Sequence, residues 1–193
     1  MIIRELSAIV VACVLVPSSL CSNMPERGEV LQTQEWKTYT RQVLNKLFPQ
    51  DKRQVDKMDI LIASSSIPFA RTDGRRLVTS DALIRTLDDG DDGDGEYASI
   101  VAHEWYHHFR KSSRVRSKDG RGIKKDEISA DAFSMQTLLA AGYDPCLLSK
   151  AIERVEVQPF HMREQPELWM NSIVLERLSI AQQACLLMRN ATN

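Results

Sequence analysis

The stretch Glu96-Tyr97-Ala98-Ser99-Ile100-Val101-Ala102-His103-Glu104-Trp105-Tyr106-His107-His108-Phe109 decides how this chain is read. It reads as one helix, and it holds all but one of the chain's 4 histidines. On a helix His103 and His107 stand one turn apart on the same face, so both imidazoles can reach a single Zn²⁺ at roughly 2.0–2.1 Å. Glu104 lies beside the first of them, where its carboxylate can hold a metal-bound water and take its proton.

Two histidines do not complete a zinc site, and H-E-x-x-H arises by chance in roughly one chain in 200 of this length. The next predicted helix, Lys125 to Ala141, supplies the remainder. Its segment Glu127-Ile128-Ser129-Ala130-Asp131 puts two carboxylates on one face. Glu127 offers a third, oxygen ligand, and Asp131 a carboxylate able to hydrogen-bond a ligand imidazole from behind. Three protein ligands leave the fourth position open to water, the arrangement of a catalytic zinc rather than a structural one. The competing reading is a helix with surface histidines; Glu127 and Asp131 disfavour it.

Outward from this pair, the pattern is helical downstream and mixed upstream. Leu147 to Val155 and Ile173 to Met188 read as further helices, and Gly142 stops the helix before them. Toward the N-terminus, apolar residues from Val30 to Leu47 recur at three- and four-residue steps and mark a helix over Glu29 to Phe48. Met58 to Ala63 reads as a strand. Ile67 to Ala70 and Arg76 to Thr79 flank Thr72-Asp73-Gly74, a hairpin signal. Ser80 is a candidate N-cap for a helix carrying Leu83, Ile84 and Leu87, which ends at the Gly/Asp tract. The class is α+β with helices dominating and a small sheet.

Composition sets the bounds. The 193 residues are 43% hydrophobic and 26% charged, with 25 basic and 26 acidic side chains, as in one globular domain. A net charge of −1 argues against a general nucleic-acid binder, which needs a basic excess. Arg4 followed by the apolar run Ala8–Val16 and then Pro17-Ser-Ser-Leu-Cys21 reads as a secretory signal peptide over residues 1–21. The run is too short to span a bilayer, so the expectation is a periplasmic or secreted protein, soluble after cleavage, with residues 22–193 as one domain. Leu20 fits poorly the small residue that would precede a lipid-modified Cys21. The remaining Cys146 and Cys185 form an even pair in an exported chain, and a disulfide between them is favoured over two buried thiols.

Several of these segments resemble a known family. Glu127-Ile-Ser-Ala-Asp131-Ala-Phe133, running into Leu138-Leu-Ala-Ala-Gly142-Tyr-Asp-Pro145, resembles the E-x-x-A-D helix and GYDP turn of the HtpX and CAAX-prenyl-protease type zinc metallopeptidases, peptidase family M forty-eight. Phe69-Ala70, Gly74 and Leu77-Val-Thr-Ser80 before Ala82-Leu-Ile84 resemble its upstream segment, and Glu96 to His103 its approach to H-E-x-x-H. The resemblance covers about residues 30 to 188. It implies a mostly helical, zincin-like metallopeptidase domain with one Zn²⁺ held by His103, His107 and Glu127, Glu104 as general base, and Asp131 behind the ligands. It also implies that Leu77–Thr79 is an edge strand beside the active-site helix, pairing with an extended substrate. Trp105-Tyr106 departs from the small apolar pair usual inside the motif. His161, ahead of Pro166, and Arg177 stand nearest the family's C-terminal His-Pro and substrate-side arginine, and an ordinary surface place suits either equally well.

The expectation is a zinc metalloendopeptidase acting on exported or envelope polypeptides in unfolded or extended form, in which zinc-bound water, deprotonated by Glu104, attacks a peptide carbonyl. The alternative is a zinc-containing, chaperone-like binder of unfolded envelope proteins. No nucleic-acid partner is expected, and the sequence leaves oligomeric state open. Two charged loops complete the reading. Asp88 to Glu96 lacks the EF-hand oxygen spacing and reads as a solvated loop at a helix N-terminus. Arg110 to Lys125, with eight basic residues against Asp119, borders the cleft as a substrate-steering segment or as a plain connector.

Overall fold

A computed structural model describes residues 27–72, 75–88, 92–111, 120–157 and 172–192. The chain divides into two compact units, Met1–Gln32 and Thr33–Asn193, and every side chain discussed below belongs to the second. The leader over residues 1–21, Cys21, the Asp73-Gly74 turn and His161 lie outside the described residues. So does most of the basic loop.

Helix α1 (Arg27–Leu47) runs into a 3₁₀ turn (Pro49–Asp51) and a short α2 (Lys52–Lys57). Arg41 on α1 donates to the carbonyls of Val55 and Met58, satisfying the open C-terminal end of α2. Strands β1 (Asp59–Ala63), β2 (Ala70–Thr72) and β3 (Arg76–Ser80) follow. Ile67–Phe69, expected to be extended as part of a strand, lie outside β2. Pro68 has no N–H to give a ladder, and Ser65 Oγ instead closes a local turn with Ile67.

The sheet order is β1-β3-β2, with β3 parallel to β1 and antiparallel to β2. This corrects one expectation. Leu77–Thr79 is not an edge: Leu77 pairs with Ile60 on one side and Thr72 on the other. The edge strand that lies against the histidine helix is β2. Local pattern could show the β2–β3 hairpin, but the return of β1 alongside β3 is a long-range pairing that no local signal carries.

Ser80 caps α3 (Asp81–Asp88) as its spacing suggests, Oγ accepting from the N–H of Leu83 at 3.1 Å. Helix α4 (Gly93–Lys111) is the pivot of the fold, packed against β2, α3, α5 (Gly120–Ala140) and α6 (Leu147–Ile152). Helix α5 begins five residues before the expected Lys125, through a polar, basic stretch without apolar periodicity. It ends in a Schellman motif: Gly142 takes φ +81°, with Tyr143 N–H on the Leu138 carbonyl and Gly142 N–H on that of Leu139. Beyond α6 the helix widens into a π-helical turn (Glu153–Val157), and α7 (Ser172–Thr192) is the last described element.

The main core joins Val43, Leu44 and Phe48 to Ile60, Leu77, Leu83, Leu87 and the buried face of α4, Tyr97, Val101 and Trp105. A second cluster, Met135, Leu148, Ile152 and Ala181, surrounds the Cys146–Cys185 disulfide that ties the start of α6 to α7. Acidic residues entering α4 are spent on structure: Asp92 pairs with Lys150, Asp94 accepts from the Tyr39 hydroxyl, and Glu96 pairs with Arg154. Among the described residues no helix is long and apolar enough to cross a membrane. The class is α+β, mostly helical with a small sheet.

Candidate metal centre

Helix α4 turns the imidazoles of His103 and His107 toward α5, and α5 answers with Glu127. Nε2 of His103 and Nε2 of His107 are 3.1 Å apart, and the Glu127 carboxylate oxygens lie 3.2 Å from the first and 3.4 Å from the second. The three form the group able to hold a metal ion among the described residues. The two distances belong to the two oxygens, Oε2 toward His103 and Oε1 toward His107, and one ligand atom from each residue lies within 4.8 Å of the others, close enough to share an ion.

The protonation pattern points the same way. Nδ1 of His103 lies 2.8 Å from Asp131 Oδ1, and as donor to that carboxylate it leaves Nε2 with a bare lone pair in the neutral ring. That lone pair faces another imidazole nitrogen and a carboxylate, an arrangement that a shared cation satisfies. Burial opposes charge on His103, yet hydrogen bonds to Asp131 and Glu127 outweigh it and push its pKa from 6.5 up to about 10. Burial would likewise raise Glu127 and Asp131, but His103 with His107, and His103 with Arg177, hold their carboxyls below the ordinary range. Without a metal, a proton fills the charge role; a divalent ion answers the same field.

The candidate ligands are held from behind. Asp131, buried, serves His103 as the E-x-x-A-D spacing suggests. Asp126, which no local pattern singles out, puts Oδ2 3.3 Å from Nδ1 of His107. Arg177 is buried on α7 rather than at the surface, with Nε donating to Asp131 Oδ2 at 2.8 Å and Nη2 to Oδ1 at 3.0 Å. Its Nη1 donates to both oxygens of Glu156, at 3.1 and 3.0 Å, and stands 3.8 Å from Glu127. Burial raises the pKa of Glu156, against the pull of Arg177. Nothing in the sequence flags Glu156, because its partner is on α7 and its place is set by the π turn. Glu104, one residue past His103 on α4, is half-buried.

Comparison with known proteins finds no family model that matches the chain and no matching curated protein. The functional reading rests on these residues and their geometry.

Proposed function

We propose that this chain is an exported zinc-dependent endopeptidase of zincin-like architecture. The observation that carries the reading is the convergence of His103 Nε2, His107 Nε2 and the Glu127 carboxylate within 4.8 Å of one another. Two nitrogens and one oxygen suit zinc, and three protein ligands keep a position for substrate. Bound there, zinc supplies Lewis acidity, polarising a scissile carbonyl and making water acidic enough to attack at neutral pH.

The chain's own residues do the rest. Glu104 accepts the proton of the attacking water and returns it to the leaving amine. Asp131 keeps the His103 tautomer in which Nε2 is free to ligate. The short strand β2 stands at the end of the sheet beside α4, the position at which an extended polypeptide adds a strand, which favours an unfolded or flexible substrate. The same edge supports the second reading, a holder of unfolded chains, because backbone pairing needs no proton transfer.

Glu104→Gln separates the two. It keeps size and hydrogen-bonding capacity but removes the basic carboxylate, and loss of a general base typically costs about 10²–10⁴-fold in rate. Zinc content, cleavage of an unfolded polypeptide and suppression of its aggregation are compared with wild type, with and without chelator. Cleavage lost with zinc retained supports the peptidase. A wild type that never cleaves, while both proteins suppress aggregation equally, replaces it with the holder.

A further inference from the structure

The π-helical turn Glu153–Val157 follows directly on the regular helix α6, and such turns recur where a protein must aim particular side chains. Here the turn aims two. Arg154 donates to Glu96 at 2.9 Å and to the Thr86 carbonyl, anchoring the turn to α3 and α4. Two residues later, on the opposite side, Glu156 reaches α7 and takes Nη1 of Arg177 with both oxygens.

We propose that Glu156 is a positioning residue of the metal centre, holding Arg177 in the one orientation in which its guanidinium grips Asp131 and so fixes the imidazole of His103. This rests on the metal reading above. The guanidinium is planar, so its donors are not independent. With Nη1 occupied by Glu156, Nε and Nη2 are both presented to Asp131, and each Asp131 oxygen takes one of them. Asp131 Oδ1 then stands on Nδ1 of His103. Released from Glu156, Nη1 is free to swing toward Glu127, already 3.8 Å away, and would compete with the metal for that ligand. Glu156 therefore keeps the arginine's charge behind the site and out of it.

The test is zinc affinity of the full, disulfide-bonded protein, read by competition with a chromogenic chelator, a measurement independent of peptidase activity. Loss of a group that orients a metal ligand typically weakens binding about 10–100-fold, and Glu156→Ala is expected near the upper end and Glu156→Gln, which keeps one acceptor, near tenfold. In an Arg177→Met background, Glu156→Ala should add nothing further. Leu44→Ala, in the core away from the site, shows what lost stability alone does to zinc binding. Should Glu156→Ala fail to fold, Glu156→Gln decides by the same comparison. Zinc affinity in the Glu156 variants equal to wild type, or reduced no more than in Leu44→Ala, overturns the proposal while leaving the metal centre standing. A wild type that takes up no zinc overturns both.

Discussion

Oδ1 of Asp131 lies 2.8 Å from Nδ1 of His103 while the same carboxylate takes two hydrogen bonds from Arg177, so one buried aspartate couples α4, α5 and α7. Removing it strips His103 of its orienting acceptor and leaves a buried guanidinium without its main partner. Breaking a buried ion pair from one side costs roughly 3–5 kcal/mol. Asp131→Ala is expected to lose stability of that order in urea denaturation and to bind zinc about 10–100-fold more weakly. Asp131→Asn, still able to accept one bond, should fall between it and wild type. Wild-type zinc affinity in Asp131→Ala would separate the aspartate from the metal centre.

The raised pKa of His103 predicts how chelated protein responds to pH. A group whose folded pKa lies above its unfolded one stabilises fully below the unfolded value and ceases to as pH climbs through the folded value. For His103 that window runs from 6.5 to about 10. The depressed carboxyls of Glu127 and Asp131 act at the other end: their stabilisation is present above their unfolded values of 4.5 and 3.8 and is lost on acidification below them. Chelator-treated protein should therefore melt at progressively lower temperature from pH 7 to pH 10. Zinc-loaded protein should not, since the metal replaces the proton on His103, and binding at pH 8 should release that proton. Calorimetric scans across this range, with and without chelator, check it; parallel Tm curves would contradict it.

What the sequence revealed follows from range. His103 with His107, and Glu127 with Asp131, are each one helical turn apart, so local periodicity alone sets each pair on one face. That the two faces meet is an inference from chemistry, and the structure bears out the meeting. The links behind the site were out of reach, because Arg177 finds Asp131 and Glu156 across 46 and 21 residues. The early start of α5 escapes a sequence reading because Gly120 to Lys124 carries no apolar stripe. The central place of β3 is hidden for a related reason: its parallel partner β1 is joined to it through β2.

Trp105 is a bulky side chain inside the H-E-x-x-H segment. Two residues from each ligand histidine, it points to the opposite side of α4, where it is fully buried and stacks on Phe48 with ring centroids 4.8 Å apart. The bulk inside the motif fills the space between α1 and α4 and leaves the ligand face alone. Trp105→Ala is expected to cost about 3–5 kcal/mol in chemical denaturation. Below its melting temperature the variant should still take up zinc with wild-type stoichiometry. Loss of zinc from a folded variant would show that the tryptophan shapes the metal face as well.

The disulfide is the last element that bears on the site. Cys146 and Cys185 are 39 positions apart, and closing a loop of that length stabilises by about 4 kcal/mol in the chain-entropy model. Their bond pins α7, and Arg177 stands about two turns earlier on the same helix. Cys185→Ser should therefore lower stability by about 4 kcal/mol and, where the protein remains folded, loosen the hold of Arg177 on Asp131. The expected signature is a two-part loss: a fall in the urea midpoint, and weaker zinc binding that grows as temperature approaches Tm. Mild reduction of the wild-type protein should reproduce both, and reoxidation should restore them. If Cys185→Ser binds zinc as tightly as wild type up to its own melting transition, the bridge serves the second core cluster alone, and Glu156 and Asp131 suffice to hold the arginine.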